Sequence, residues 1–298
     1  MQNLLSTLRG TGVAIVTPFT KAGAIDFRSF DKLLEHVIGN GADYIVLMAT
    51  TGESPTISKQ EKKTFCEYAV SKINGRVPLV LGIGGNNTTE VILSIHGMPL
   101  NGVDAILSVC PYYNKPQQEG IYQHFKTIGE ASPKPVILYT VPGRTGSNIA
   151  ATTTLRLAND VKNIIGIKEA SGNFDQIYHV LKDRPKDFLV ISGDDGLTLP
   201  LLSAGADGVI SVVANVYPRE FSDMVRLGLE GNFDKARLIH FKLIDLINAL
   251  FSDGSPAGIK AALEIKGICK NYLRLPLVPV RPDIYNTIKN LIQQIDNA

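Results

Sequence analysis

Short apolar runs alternate with longer amphipathic segments along most of the chain. Each run is rich in β-branched residues and is bounded by glycine, proline, asparagine or aspartate, a pattern typical of buried strands. Because apolar and polar residues hardly alternate within them, the runs favour parallel strands that are covered on both faces. The predicted strands are Val13–Phe19, Tyr44–Ala49, Val77–Ile83, Ala105–Cys110, Val136–Val141, Ile164–Lys168, Phe188–Ser192 and Gly208–Val213.

The segments between the runs carry apolar residues at helical spacing. In Asp26–Ile38 they recur every three or four positions, which is the repeat of one helix face. The segment Ser58–Ile73 opens with Ser58 and has Glu61 three residues later, the signature of a capping box. The same spacing predicts helices at Gly120–Ile128, Thr152–Ala158 and Phe174–Leu181 and then, in an all-helical region from about Pro218, at Phe233–Phe251, Ala257–Tyr272 and Asp283–Ile295.

Strands that alternate with helices in this regular way predict an α/β fold, a (β/α)8 TIM barrel with a C-terminal helical extension. We assign residues 1–225 to the catalytic barrel and residues 226–298 to the extension. No low-complexity linker separates the two, so we expect the extension to pack on the barrel. The alternative is an open doubly wound sheet, and the even strand spacing and the lack of an early GxGxxG motif argue against it.

Composition and charge narrow the classes of partner. The chain has 298 residues and a net charge of 30 − 28 = +2, with no prominent basic stretch, which argues against nucleic acid. No apolar run approaches the length of about 18 residues that a membrane span needs. The three cysteines form no CxxC motif and leave one unpaired, which favours a reducing, cytoplasmic compartment. The five histidines form no HxH or HxxxH pair, so no metal site is predicted.

The most informative polar residue is Lys168, which lies near the end of an apolar run. Alternation along a strand would place it on one face with Gly166 and Ala170, and would leave residues 165, 167 and 169 on the other. Small neighbours leave room around its amine, and burial favours the neutral, nucleophilic form. The alternatives are that Lys168 reaches the surface or pairs with Glu169.

Further polar side chains follow the ends of other strands, where a (β/α)8 barrel has its active site. Tyr139, Thr50 and Tyr113 are candidates for the proton relay that imine formation requires. The turn that contains Thr50 and Thr51 is suited to binding a carboxylate, and Arg144 to binding a second one. Each has a structural alternative, since the threonines can cap a turn, the tyrosines can lie in an interface, and the arginine can be structural.

Three other features are interpreted as structural. For the adjacent Asp194 and Asp195 we favour capping of the following helix over metal binding. Cys110 lies within an apolar run and is predicted to be a packed thiol. Neither of the last two strands ends in a glycine-rich anion loop, which disfavours a phosphorylated substrate.

Five segments that carry these residues match motifs of one known family. Ala49–Ser54, Pro111–Asn114, Tyr139–Gly146, Gly166–Ala170 and Ser192–Asp195 correspond to the motifs G-T-T-G-E-S, P-Y-Y-N, Y-N-V-P-x-R-T-G, G-I-K-E-A and S-G-D-D. On these motifs the chain resembles the dihydrodipicolinate synthase branch of the N-acetylneuraminate lyase superfamily over essentially its whole length. It departs from the family at Ala49, which usually is glycine, and at Thr140, which usually is asparagine.

The resemblance implies a Schiff-base lyase that works without a cofactor. It would condense pyruvate with L-aspartate 4-semialdehyde, in diaminopimelate and lysine biosynthesis. Lys168 would form the Schiff base, and Tyr139 would be the general acid and base, relayed through Thr50 and through Tyr113 of a neighbouring subunit. The enzyme would be a homotetramer built from two tight dimers. Other class I pyruvate aldolases, acting on a sugar acid or hydroxy-keto acid, and a catalytically silent barrel that binds a keto acid as a regulator are the alternative functions.

The resemblance also implies roles in binding. Thr51 and Ile210 would contact pyruvate through their backbone, Gly193 would lie beside the lysine, and Arg144 would bind the carboxylate of the semialdehyde. The presence of Arg144 favours the synthase over the sugar-acid aldolases. The Ala49 methyl is expected to crowd the turn that bears Thr50, whereas Thr140 faces away from Tyr139 and is expected to act indirectly.

An effector site is implied as well, at a dimer interface. Asn86, Glu90 and Tyr112 match residues that bind L-lysine in regulated members. Those members usually have a histidine at the position of Lys59, and a cationic effector beside this lysine would meet like charge. The prediction is therefore weak inhibition by L-lysine or none. The alternative is that Asn86 and Glu90 only cap the next helix.

Overall fold

Eight parallel strands close into a barrel in the computed structural model of the protein, which describes residues 2–297. Each strand pairs with the next in the chain, and the last pairs with the first. The predicted barrel is therefore confirmed and the open sheet is wrong. The strands are β1 (Gly10–Ala14), β2 (Tyr44–Leu47), β3 (Leu79–Gly82), β4 (Ala105–Val109), β5 (Val136–Thr140), β6 (Ile164–Glu169), β7 (Leu189–Ser192) and β8 (Gly208–Ser211).

The first strand is the one whose position was predicted wrongly. It begins at Gly10 and ends at Ala14, and the apolar run leaves the sheet after a last bond from the Ile15 N–H to Val46 O at 3.1 Å. Beyond it the Val16 backbone N–H donates to Asn215 Oδ1 at 3.1 Å, and Pro18 has no N–H to give to a ladder. The run looks like a strand because it is buried, but its burial comes from packing in the layer between the sheet and the helices.

A helix follows each strand, and further helices come after the last strand. They are α1 (Gln2–Thr7), α2 (Phe27–Gly39), α3 (Lys59–Ile73), α4 (Thr88–His96), α5 (Gln118–Ala131), α6 (Pro142–Thr145), α7 (Ala151–Asp160), α8 (Phe174–Asp183), α9 (Thr198–Ser203), α10 (Pro218–Leu229), α11 (Phe233–Phe251), α12 (Ala257–Ile265) and α13 (Pro282–Asn297).

One predicted helix start is confirmed, and one predicted helix end is wrong. The capping box is confirmed, since Ser58 Oγ accepts from the Glu61 N–H at 3.3 Å and Glu61 Oε2 accepts from the Ser58 N–H at 2.9 Å. The predicted helix Ala257–Tyr272 is too long, because α12 ends at Ile265 and Gly267 adopts a left-handed φ of 68°. The chain from there to Tyr272 is irregular and returns to the barrel mouth.

Buried side chains form two layers around the strands. One lies between the sheet and the helices, and the other fills the barrel. In β6 the strict alternation predicted from the sequence is wrong at Ile165, which packs in the barrel interior. The register between β5 and β6 shifts there, because Val136 pairs with Ile164 and Ile137 pairs with Gly166. This bulge leaves Ile165 as an extra residue and restores alternation before Lys168.

The last three helices pack against the barrel and against one another. The division between barrel and extension at residue 225 stays a prediction, and it falls inside α10. Within residues 2–297, no helix combines the length and the apolar composition that crossing a membrane would require.

Candidate active site

A cavity of about 410 Å³ opens at the carboxyl end of the barrel strands. Its walls include Thr50, Tyr139 and Arg144, which the sequence predicts to act together. They also include Tyr112, which was predicted for a separate effector site, and Leu277 from the segment after α12. The C-terminal extension thus contributes directly to the wall of the cavity.

Lys168 is buried against Tyr139, which forms part of the wall of this cavity. Its side chain is 5% exposed, and its Nζ lies 4.5 Å from the centre of the Tyr139 ring. The two residues are direct neighbours in the sheet, because Tyr139 of β5 pairs with Lys168 of β6. The amine and the phenol are thus close enough to act on the same atom of a bound substrate. Surface exposure of Lys168 is therefore wrong as an alternative.

Pairing of Lys168 with Glu169 is also wrong, because the Glu169 carboxylate belongs to a hydrogen-bond chain on the outer face of the sheet. Thr140 Oγ1 donates to Asn148 Oδ1 at 2.9 Å, and Asn148 Nδ2 donates to Gln176 Oε1 at 2.6 Å. Gln176 Nε2 then donates to Glu169 Oε2 at 2.9 Å. Burial raises the pKa of Glu169. The chain joins β5 and β6 directly behind Tyr139 and Lys168, so Thr140 lies behind the site, as expected.

The turn after β2 is held by its own backbone. The Gly52 N–H donates to Ala49 O and the Glu53 N–H to Thr50 O, both at 3.1 Å, while Thr17 Oγ1 donates to Gly52 O at 2.7 Å. Thr51 is buried and Thr50 is half-buried. The left-handed residues of this turn are Met48 and Glu53, with φ of 54° each. Ala49 is not among them, and its methyl packs inside the barrel, so the turn accommodates alanine without backbone strain.

Gly193 lies beside Lys168, as the resemblance implies, while the contact of Ile210 with pyruvate stays a prediction. A side-chain methyl on Gly193 would be 3.1 Å from Lys168 Cε, so the glycine touches the lysine stem, and Ile210 belongs to the barrel interior. Asp194 Oδ1 accepts from the Leu197 N–H at 3.1 Å, a local turn contact. Asp195 instead accepts from the Val213 N–H at 2.7 Å and fixes the end of β8. Capping was therefore the wrong prediction for Asp195, and burial raises its pKa to about 6.

The loop after β4 divides its two tyrosines. Tyr112 lines the cavity, whereas the side chain of Tyr113 is 89% exposed and its backbone has a left-handed φ of 74°. The loop is pinned by Asn86 Nδ2, which donates to Tyr112 O at 3.0 Å, and by Asn114 Nδ2, which donates to Asn86 O at 2.9 Å. Tyr113 is thus held away from the cavity of its own chain. Cys110, just before the loop, is buried as predicted.

Two residues of the predicted effector site, Lys59 and Glu90, lie along a second cavity, of about 560 Å³, between α3 and α4. Asn86 instead contacts the loop after β4. Lys59 Nζ lies 3.9 Å from Glu90 Oε2, and both side chains are largely exposed. The cap of α4 is Asn87, whose Oδ1 accepts from the Thr89 N–H at 3.1 Å. Capping by Asn86 is therefore wrong as an alternative, since its amide binds Tyr112 instead.

Two further polar residues at the site were not found by sequence reasoning. Glu53 and Lys260 have fully buried side chains that contact each other, and Glu53 also lines the cavity. The available signal was a single lysine within the apolar segment Ala257–Leu263. Within the described chain, no group of three histidine, cysteine, aspartate or glutamate side chains is placed to hold a metal ion.

Comparison with known proteins agrees with this geometry. A sequence model described as the dihydrodipicolinate synthetase family matches residues 7–295. The chain belongs to this family. The resemblance inferred from the motifs is thereby confirmed, and so is the TIM-barrel fold that it implied.

Individual relatives in the dihydrodipicolinate synthetase family are similar along almost their full length. The 4-hydroxy-tetrahydrodipicolinate synthase of Parabacteroides distasonis is 50% identical over 288 residues, which are 97% of each chain. The crystal structure of dihydrodipicolinate synthase from Aquifex aeolicus superposes with a TM-score of 0.94 at 40% identity, over 97% of this chain and 98% of that one. A monomeric dihydrodipicolinate synthase variant gives a TM-score of 0.95 at 39% identity, over 98% of both chains.

Proposed function

We propose that the chain is a 4-hydroxy-tetrahydrodipicolinate synthase, a lyase that condenses pyruvate with L-aspartate 4-semialdehyde through a Schiff base. The activity is the one named for its relatives. The observation that carries the chemistry is a buried lysine amine 4.5 Å from the ring of Tyr139, which lines a cavity together with Thr50 and Arg144.

The first half of the reaction activates pyruvate. Lys168 Nζ attacks the ketone carbon, and the resulting carbinolamine loses water to give an imine. Tyr139 donates the proton that makes the hydroxyl a leaving group, and Thr50 connects it to further proton carriers. The imine nitrogen then accepts the electrons released when the pyruvate methyl loses a proton, so an enamine forms without an added cofactor.

The second half forms the carbon–carbon bond. The enamine carbon attacks the aldehyde of the semialdehyde, and the amine of that substrate then attacks the imine carbon. Closing the ring expels the lysine amine and regenerates Lys168. The backbone around Thr51 and Ile210 binds the pyruvate carboxylate, and Gly193 leaves space for the lysine stem. Arg144, exposed at the cavity wall, binds the carboxylate of the semialdehyde.

Assembly completes the site in this proposal. Tyr113 is exposed in a left-handed conformation that a tyrosine adopts at some energetic cost, and the loop that carries it is fixed by side-chain hydrogen bonds. These features support a role for Tyr113 in the site of a second subunit, within a homotetramer made of two dimers. The three free, buried cysteines support a cytoplasmic enzyme.

The test is borohydride trapping with peptide mapping. Pyruvate and borohydride should add one reduced pyruvate to the peptide that contains Lys168, and Lys168→Ala should abolish the adduct. Lys260 is an internal control, because it is also buried but is engaged by a carboxylate. Modification of Lys260, or no adduct at all, would contradict the mechanism. Turnover with the semialdehyde, compared with sugar-acid aldehydes, separates the synthase from other pyruvate aldolases.

A further inference from the structure

A buried ion pair joins the C-terminal extension to the turn that carries Thr50 and Thr51. Lys260 Nζ of α12 contacts Glu53 Oε1, and both side chains are fully buried. The two residues are 207 positions apart in the chain. Buried charges in contact are uncommon in proteins, because both must give up their hydration.

The remaining bonding capacity of both groups is used. Glu53 Oε2 accepts from the Arg274 N–H at 3.1 Å, and Lys260 Nζ donates to Tyr272 O at 2.8 Å. Lys260 Nζ also lies 4.3 Å from the centre of the Phe19 ring, on the segment that follows β1. The pair therefore joins three stretches of chain that meet beside the cavity.

Arg274 adds a second set of hydrogen bonds between the irregular segment after α12 and the chain around the turn. Its Nε donates to Gly23 O and its Nη1 to Thr56 O, each at 2.8 Å, and its guanidinium pairs with the Glu61 carboxylate. Since Thr56 and Glu61 come after the turn in the chain, the irregular segment after α12 holds the chain at Glu53 and on its C-terminal side.

The connection from Glu53 to the substrate-binding turn is short. The Glu53 N–H donates to Thr50 O at 3.1 Å, and Glu53 itself adopts a left-handed φ of 54°. A non-glycine residue keeps such a conformation when surrounding contacts enforce it. The fixed Glu53 side chain supplies this contact, so its carboxylate determines where the amides and hydroxyls of Thr50 and Thr51 point.

Stability alone does not account for the pair. Replacing a buried ion pair by apolar side chains of similar volume often leaves a protein equally stable or makes it more stable. An apolar pair would fill the space but would not fix the direction of the turn. A directional contact at this place serves the geometry of binding rather than the packing of the fold.

We propose that Glu53 and Lys260 are positioning residues for the turn that binds the pyruvate carboxylate, so that the C-terminal extension sets the affinity of the barrel for its first substrate. The inference rests on the proposed function. It extends that function by assigning a role to a part of the chain that does not carry the nucleophile.

The test compares Lys260→Met with the double variant in which Glu53→Gln is added. Lys260→Met leaves an unpaired buried carboxylate and should lower the Tm, whereas the double variant removes that charge and should recover much of the Tm. In both variants the KM for pyruvate should rise about tenfold or more, the rate of imine trapping at low pyruvate should fall, and the KM for the semialdehyde should change little. The single variant Glu53→Gln keeps the acceptor for Arg274 and should show a smaller effect in the same direction.

Arg184→Met is the matched control. Arg184 pairs with the buried Asp207 at the opposite end of the barrel, so its loss should lower the Tm without changing the KM for pyruvate. Hydrogen–deuterium exchange of residues 48–57 should increase in the Lys260 variants and stay unchanged in the control. A folded double variant with the wild-type KM for pyruvate overturns the positioning role. Absence of a pyruvate adduct in the wild type would instead reject the proposed function, while the exchange data still report on the turn.

Discussion

Replacing Gly193 by alanine tests how tightly the site holds the stem of Lys168. The added methyl would lie 2.6 Å from Ala170 Cβ and 3.1 Å from both Glu169 O and Lys168 Cε. Carbon atoms in contact are normally about 3.5–4.0 Å apart, so the overlap with Ala170 is about 1 Å. Because Ala170 Cβ and Glu169 O are fixed to the backbone, the overlap is relieved only by shifting the end of β6 away from Gly193, and Lys168 moves with β6.

The expected loss follows from this displacement. Overpacking of a buried site costs about 1–3 kcal/mol of stability. A misplacement of about 1 Å at a reacting group can reduce its rate by about 10²-fold, which corresponds to about 2.7 kcal/mol of activation free energy. We therefore expect Gly193→Ala to remain folded, to be modestly less stable, and to form the pyruvate imine about a hundredfold more slowly.

The assay is single-turnover imine formation, followed by borohydride quenching and mass spectrometry, together with urea unfolding. The control is Gly196→Ala in the same loop, whose methyl would meet its nearest neighbour, Asp194 Oδ1, at an acceptable 3.4 Å. The control should behave like the wild type. A Gly193→Ala variant that forms imine at the wild-type rate would refute the view that the glycine confines the lysine.

Three further predictions concern the second substrate, pH and regulation. Arg144→Ala should raise the KM for the semialdehyde and lower kcat/KM by the equivalent of about 2–5 kcal/mol, while trapping of the pyruvate imine stays nearly intact. An unchanged KM with normal turnover would reopen the sugar-acid alternative. Burial raises the pKa of Asp195 from its usual 3.8 to about 6, so between these pH values the native state keeps a proton that the unfolded chain releases. The free energy of unfolding should therefore fall as the pH rises through this window, by up to about 3 kcal/mol. Urea unfolding between pH 4 and 7 should show this slope, and Asp195→Asn should flatten it; a slope that persists in the variant assigns it to other groups. Because Lys59 already pairs with Glu90, L-lysine at millimolar concentration should inhibit the enzyme weakly or not at all. Lys59→His should make the enzyme more sensitive to inhibition by L-lysine. Half-maximal inhibition of the native enzyme well below a millimolar would contradict this.

The sequence predicts the strand ends well because buried strands and the polar residues that follow them differ sharply in composition. Lys168, Tyr139 and Thr50 could be placed at one end of a barrel from that contrast alone. The same contrast misplaced β1, since the residues after Ala14 pack between the sheet and the helices and are as apolar as residues inside a strand. Burial can be inferred from composition, but the direction of the chain within the buried region depends on which backbone groups find partners.

Contacts between distant segments could not be predicted. The apolar residues around Lys260 indicate that it is buried, but only the fold shows that Glu53 is its partner. The bulge at Ile165 depends on the register with β5, which the sequence of β6 does not contain. The residues alone left two positions open for Tyr113, in the relay at its own cavity or in an interface, and only the family resemblance favoured the exposed one. These are properties of pairs of segments rather than of any one of them.

The hydrogen-bond chain on the outer face of β5 and β6 has a consequence for how the family can vary. Thr140 Oγ1 both donates to Asn148 and accepts from the Ile149 N–H at 3.1 Å, so it is a required member of the chain. The asparagine that usually occupies this position would bring a longer side chain with a separate donor and acceptor, and the amides of Asn148 and Gln176 would have to reorient to match it. Substitutions at these three positions should therefore be strongly non-additive. Residue 140 thus depends on residues 148 and 176, so that exchanging it alone should lower stability more than its distance from the substrate suggests.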